Sequence, residues 1–482
     1  MNLDPLLLDS HSHPSTEELA AAGALVVQWA LQHHATLDEQ GIGLSATPEV
    51  MQKLLQEPPP ETGRPFPDIL RRFDEQIAPF AFKPCNPRFL AFVPGVPAFP
   101  SVLGDWLAAA ANFFCGVWFE AAGPTQVELT VLDWFKSWLS YPATARGILT
   151  GGGSEANLTA LVVARERVPY VDRGRIVLYV SEQRHWSVDR AAKVMGLFPQ
   201  QIYPVPAGAD LKLHARALCE AVARDRVAGL VPWAVVANAG ATNTGAVDPL
   251  DEIATVCAEE RLWLHVDAAY GWVAILADEG KRELAGIERA DSITLDPHKW
   301  FAQTFEAGCL LVRDGARLEE TFRLRPDYMQ DVVPDEGEIN FADHGIALTR
   351  RFRALKIWLS VQMLGAQWFR DLAERCLNLA AYAQRRLEAE GCFEILHPRQ
   401  LSIVCFRYRP QGGADVDLDC LNEAIARDLL ASGRAFLSST RLHGVYALRM
   451  CIINWRTSAG DIDEIVRLLK EIGHKVVDHD GA

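Results

Sequence analysis

Apolar positions along the chain change their period from one region to the next. "STEELAAAGALVVQWALQHH" (15–34) repeats its apolar residues at helical spacing. Ser15 or Thr16 can cap that helix, and Glu18 stands at capping-box distance from Ser15. Helical periodicity runs to about residue 57 and stops in "QEPPPETGRPFP", which reads as a linker. From about 85 to 330, short Val, Ile and Leu runs such as "RIVLYVS", "AVVANAG", "LWLHVDAAY" and "SITLD" alternate with amphipathic stretches. The runs are apolar throughout rather than at every second position. That predicts strands buried on both faces, hence a mostly parallel sheet flanked by helices. A long helix is expected near "LTRRFRALKIWLSVQMLG" (348–365). After about residue 375 come another helix, a strand at "SIVCFRY", a Gly-rich turn, a strand at "LRMCIIN" and a closing helix from Asp461. The expected division is an N-terminal helical segment (1–84), a large domain (85–375) and a small C-terminal α+β domain (376–482).

Composition narrows the partners. A chain of 482 residues with a formal net charge of -15 suits neither a phosphate backbone nor an anionic membrane as its main partner. No apolar run approaches the length of a membrane span, and "MNLDPLLLDSHSHP" lacks a signal peptide's basic start. Ten cysteines are scattered without a C-x-x-C pair, which suggests reduced core thiols in a cytoplasmic protein and no metal site.

Four places carry candidate chemistry. "SITLDPHKWFAQTFEAGCLLVRD" sets Lys299 between two apolar runs, where an ammonium needs either a carboxylate partner or a reaction to perform. "LTGGGSEANLTALVVARE" runs from a strand end through Gly151, Gly152 and Gly153 to Ser154 and a helix. That is an ordinary cap or a phosphate cradle, since glycines let an anion approach and a helix N-terminus attracts it. In "LWLHVDAAYG", Asp267 ends an apolar strand, either capping the next turn or meeting a ligand at the sheet's rim. Ala268 and Ala269 are small enough for a flat ring to stack there. His185 follows "RIVLYVS", while His11 and His13 read as surface residues. A phosphate cradle, an acid for a ring nitrogen, a stackable imidazole and a desolvated lysine together match pyridoxal 5'-phosphate. On this reading Lys299 is held by a covalent cofactor and not by an ion pair.

The motifs "NPRFLAFVP", "GPTQVELTVLDW", "GGGSEANLTAL", "HVDAAYG", "DPHKW" and "LTRRFRALKIW" resemble those of the group II pyridoxal-phosphate-dependent amino-acid decarboxylases, closest to the aromatic branch. The resemblance spans about residues 15–475. It implies the fold type I α/β architecture and a homodimer with active sites at the subunit interface, the N-terminal segment packing on the partner. Lys299 resembles the Schiff-base lysine, Asp267 the partner of the pyridine nitrogen, and Ala269 the residue packed on the ring. His185 resembles the imidazole on the opposite face, Gly153 and Ser154 the phosphate binders, Thr242 the threonine near ring and carboxylate, and His298 the histidine beside the lysine. Tyr328, in "FRLRPDYMQDVVPDEGEINF", stands where the family has a loop tyrosine that covers the partner's cofactor. The chain departs from the aromatic branch at Asp296, where Asn is frequent. Phe92 and Pro94 in "AFVPG", Trp118 and Glu120 in "GVWFEAAGP", and Thr349 are the expected substrate-pocket residues. The implied reaction is decarboxylation of an L-amino acid, aromatic by preference. An acidic or basic substrate, or aldehyde synthesis, are the alternatives.

Overall fold

Among the residues that the computed structural model describes (14–324, 327, 334–411 and 416–480), seven strands form the central sheet. They are β1 (Arg146–Thr150), β2 (Ile176–Ser181), β3 (Ile202–Val205), β4 (Val231–Asn238), β5 (Trp263–Asp267), β6 (Ser292–Leu295) and β7 (Gly308–Val312). Their order is β1-β7-β6-β5-β4-β2-β3. Neighbours among β2 to β6 pair in parallel, and β7 runs antiparallel to both β1 and β6. Every position of β2, β5, β6 and β7 is buried, which is why their sequences are apolar without alternation. The mostly parallel α/β sheet of fold type I is therefore present, with β7 as its reversed strand.

Helices cover this sheet and lead into it. α1 (Thr16–Ala35) carries the capping box: Ser15 Oγ accepts from the Glu18 N–H at 3.2 Å and Glu18 Oε2 from the Ser15 N–H at 2.8 Å. None of its residues is buried by the described residues, although Leu19, Val26, Val27 and Leu31 are apolar. α2 (Pro48–Leu55), α3 (Phe66–Arg72), α4 (Phe99–Ala111) and α5 (Trp118–Trp138) precede β1. α6 (Gly153–Glu166) follows β1 and buries small residues such as Ala156, Ala160 and Ala164, so its axis lies close to the strands. α7 (Trp186–Val194), α8 (Ala215–Val227), α9 (Leu250–Glu260), α10 (Asp278–Glu283) and α11 (Ala316–Phe322) complete this part of the chain.

The expected helix at 348–365 starts later, in α12 (Ala354–Glu390). Arg350 explains the delay. Its guanidinium is buried against Glu128 at 2.5 Å and donates to Leu149 O at 3.0 Å, which pins the preceding segment to β1. The helical stretch is interrupted at Gly365 (φ 76°, ψ 153°), and helix resumes at once rather than after residue 375. Beyond it, β8 (Phe393–Gln400), β9 (Ile403–Tyr408), β10 (Ser438–Leu442) and β11 (Val445–Cys451) form an antiparallel sheet ordered β10-β11-β9-β8. α13 (Leu418–Ala431) and α14 (Ala459–Asp480) pack on it around a second core that includes Leu387, Phe406, Leu448 and Ile462.

Candidate active site

Six strands, β1 to β6, share one direction in the large sheet, and all but β3 deliver a part of the site at the edge where they end. β1 gives way at Thr150 to Gly151 and Gly152, then to α6, whose first N–H groups have no intrahelical partner. A Cβ on Gly153 would stand 2.9 Å from Asp296 Oδ2, so this turn closes against the segment after β6 only because no side chain intervenes. After β2, His185 caps α7 and its Nδ1 accepts from the Ser187 N–H at 3.3 Å. After β4 come Gly240 and Thr242, β5 ends at Asp267, and β6 is followed by Asp296, His298 and Lys299. All of these line one cavity of about 390 Å³, together with Ser154 and Ala269. A second cavity of about 650 Å³ shares His185, Thr242 and Lys299 with the first and reaches Phe92, Trp186, Phe436, Tyr446 and Arg449.

Lys299 Nζ lies 2.9 Å from Asp296 Oδ2, so the ion pair that the sequence reading set aside is present. The physical reason is proximity: the turn after β6 brings residues three apart together, and a buried ammonium takes the nearest carboxylate. Burial works against the lysine's charge, but the carboxylates of Asp296 and Asp267 outweigh it and hold its pKa above the ordinary value. Asp267 accepts from Asn157 Nδ2 at 2.9 Å and from the Ala269 N–H at 3.1 Å, so it caps the turn and faces the cavity at once. Burial pushes the imidazoles of His185 and His298 below the usual value and favours their neutral forms.

The donor set fits pyridoxal phosphate. Gly151 to Ser154 at the start of α6 would take the phosphate, and Asp267 the ring nitrogen. Ala269 and His185 would flank the ring, with Lys299 in reach of the aldehyde carbon. Asp296 Oδ1 is buried with no hydrogen-bond partner among the described residues. Among the described residues no group of three or more His, Cys, Asp or Glu is placed to hold a metal ion.

A family model for the pyridoxal-dependent decarboxylase conserved domain matches residues 48–409. The chain belongs to the pyridoxal-dependent decarboxylase family. It is a carboxy-lyase that acts on an amino acid with pyridoxal phosphate as its cofactor. The decarboxylase is 39% identical to an aromatic-L-amino-acid decarboxylase of Bacillus atrophaeus over 464 residues, 96% of this chain and 97% of that one. Its fold is similar to that of an Oryza sativa TDC solved with PLP and tryptamine (TM-score 0.93, 28% identity, 97% of this chain and 100% of that one). It is similar as well to Rhodiola rosea 4-hydroxyphenylacetaldehyde synthase (TM-score 0.90, 27% identity, 96% and 99%).

The structure brings together most of the residues singled out in the decarboxylase's sequence, but not all of them. Lys299, Asp267, His185, Gly153, Ser154, Thr242, Ala269 and His298 meet in the first cavity, and Phe92 lines the second. Pro94 is buried, and it lines neither cavity. Trp118, Glu120 and Thr349 line neither one either. The segments that carry them are neighbours elsewhere, because the Cys115 N–H donates to Arg350 O at 2.8 Å and the Ala342 N–H to Gly116 O at 2.8 Å. Tyr328, His11 and His13 fall outside the described residues. Sequence reasoning missed Asn157, which stands one helical turn after Gly153 and therefore on the same face of α6. It also missed Arg449, buried in β11 with Nη1 on Phe92 O and Nε on Asn243 O, and with Nη2 unpartnered among the described residues. A charge inside the apolar run "LRMCIIN" was the same signal that singled out Lys299.

Proposed function

We propose that the enzyme decarboxylates an aromatic L-amino acid to the corresponding amine and CO₂. The observation that carries this reading is the second cavity. Phe92, Trp186, Phe436, Leu437 and Tyr446 give it apolar and aromatic walls, and it opens on Lys299. Bound in the first cavity, pyridoxal phosphate would supply an electron sink for the pair left at Cα when CO₂ departs. Lys299 would attach the cofactor and release the product, while Asp267 would stabilise the charge on the ring nitrogen. His185 and Thr242 border both cavities and so stand between ring and substrate. Arg449 adds a positive charge to the wall of the second cavity, where a substrate carboxylate would be attracted. Tyr328 delivers the proton to Cα.

The working unit in this reading is a homodimer in the cytoplasm. Support for the dimer comes from two surfaces. α1 exposes Leu19, Val26, Val27 and Leu31 along a helix with no buried residue, and Phe119 and Leu348 are exposed beside Trp118, Glu120 and Thr349. The second surface would complete the partner's substrate pocket. All ten cysteines are free thiols, as a reducing compartment requires.

A second reading, an acidic substrate, is favoured by Arg427 and Arg449 in the same cavity. The deciding experiment is CO₂ release from a panel of L-amino acids. Turnover of at least one of tyrosine, DOPA, phenylalanine or tryptophan is expected, with hydroxylated substrates preferred. Turnover of glutamate, aspartate, ornithine or diaminobutyrate alone would overturn the aromatic assignment.

A further inference from the structure

A hydrogen-bond chain runs from the core of the sheet to the ring of His185, and its chemistry gives every link one direction. Trp263 Nε1 lies 2.8 Å from Ser292 Oγ. An indole N–H can only donate, so the hydroxyl accepts there; Asn157 turns its amide nitrogen to the Asp267 carboxylate and its oxygen to His265 Nε2, so the hydroxyl's proton goes to His265 Nδ1, 2.8 Å away. His265 is fully buried, and burial holds it in the neutral form, so its single proton sits on Nε2. Nε2 is 3.0 Å from Asn157 Oδ1, with Thr294 Oγ1 a longer neighbour at 3.4 Å. The amide oxygen therefore accepts, and both N–H groups of Asn157 are left to donate. One meets Asp267 Oδ2 at 2.9 Å and the other Ser187 Oγ at 3.0 Å. The amide cannot be reversed, because a carboxylate facing an amide oxygen would leave two acceptors in contact.

Ser187 Oγ, having accepted, donates to His185 Nδ1 at 2.8 Å, and the Ser187 backbone N–H approaches the same nitrogen at 3.3 Å. Nδ1 is thus an acceptor twice over. The neutral ring must carry its proton on Nε2. Trp263, Ser292, His265, Asn157, Asp267 and Ser187 are all buried, so bulk solvent does not supply competing donors that would scramble the order.

We infer that Asn157 and His265 are positioning residues, which hold the Asp267 carboxylate in place through an amide N–H and fix His185 as the Nε2–H tautomer, a hydrogen-bond donor toward the substrate side. One amide thereby ties together the imidazole that would stack on the cofactor ring and the carboxylate that would meet its nitrogen. This rests on the cofactor lying with His185 over one face and Asp267 at the ring nitrogen.

The test uses the holoenzyme with ¹⁵N-labelled histidine and three variants. In the wild type, the ¹⁵N shifts of His185 should report a protonated Nε2 and a bare Nδ1. Asn157→Leu removes both donors at similar volume. It should alter the absorption spectrum of bound pyridoxal phosphate and lower kcat by about 10–100-fold with little change in KM. Ser187→Ala cuts only the branch to His185, so it should lower kcat while leaving the cofactor spectrum as in the wild type. It also keeps the inference testable if Asn157→Leu does not fold. A proton on Nδ1 of His185, or a wild-type spectrum and kcat in Asn157→Leu, overturns the inference. So does a lower Tm with kcat unchanged, which would make Asn157 a packing residue. Asp267→Asn separates the two levels: a cofactor spectrum unmoved in that variant would mean that the cofactor's placement, rather than the relay, is wrong.

Discussion

Lys299 Nζ and Asp296 Oδ2 stand 2.9 Å apart, on a turn that also carries His298 and packs against Gly153 at the start of α6. The carboxylate thus serves two neighbours with opposite demands. The lysine gains a counter-ion, but a phosphate docked on the α6 N-terminus would meet a like charge. Where the aromatic branch of the family frequently has a neutral amide, this chain keeps an acid.

Asp296→Asn should therefore speed cofactor capture. Without the carboxylate the lysine's raised pKa falls, more of it is the neutral amine at pH 7.5, and the phosphate loses a repulsive neighbour. Each unit of pKa gives about tenfold more amine, so covalent capture of pyridoxal phosphate by the apo-enzyme should accelerate by about that factor or more. Stopped-flow absorbance would show it. Slower capture would mean that Asp296 helps the lysine shed its proton.

Lys299→Ala tests the attachment point. The Gly151–Ser154 turn and Asp267 remain, so cofactor should still bind, but without a covalent link. After borohydride reduction, mass spectrometry should find the added cofactor mass at Lys299 in the wild type and nowhere in the variant. Turnover should drop by about a thousandfold or more. A variant that keeps a reducible adduct would place the nucleophile elsewhere.

The sequence was most informative where burial is complete. Strands β2, β5 and β6 coincide with the runs "RIVLYVS", "LWLHVDAAY" and "SITLD" because every position in them is buried, the polar His265 and Thr294 included, and β4 reaches "AVVANAG" from Val231 with its last six residues buried. β3 was not legible: it has four residues, is partly exposed and contains Pro204. β8 is mostly half-buried and contains Pro398, so it too lacks a period. In the site, Lys299, Asp267 and His185 announced themselves by standing at the ends of apolar runs. Asn157 did not, since a helix interior gives an amide no contrast with its neighbours. The Asp296–Lys299 pair was invisible for another reason: spacing in sequence does not say which of two partners a buried ammonium takes.

The buried imidazoles predict how stability depends on pH. Burial lowers the pKa of His185, His265 and His298 in the folded chain. The unfolded chain binds protons on these rings once the pH drops below about 6.5, while the folded chain refuses them. Stability is therefore fully present above that pH and is lost as the pH falls further, by up to about 1.4 kcal/mol per pH unit for each histidine. Urea midpoints between pH 7.5 and 5 should decline in the wild type and decline less in His265→Gln. The same neutral form of His185 should persist below pH 6.5, so kcat/KM should not titrate at the ordinary imidazole value.

In the proposed reaction Tyr328 is the residue that decides what happens after CO₂ has left. The carbanion at Cα has two fates: it takes a proton and leaves as the amine, or it meets O₂ and leads to aldehyde, ammonia and peroxide. A positioned phenol wins that race because its proton needs no diffusion of a second reactant. The sequence around Tyr328, "FRLRPDYMQDVVPDEGEINF", has the Pro, Gly and acidic residues of a polar covering loop. Tyr328→Phe keeps the ring and removes only the acid. The variant should go on releasing CO₂ while making less amine and more aldehyde and hydrogen peroxide. Amine, aldehyde and peroxide should be measured side by side for both proteins under air, and again with oxygen removed, where the aldehyde should disappear. If the amine-to-aldehyde ratio is the same in both proteins under air, another group protonates Cα, and His185, with its proton on Nε2, is the next residue to replace.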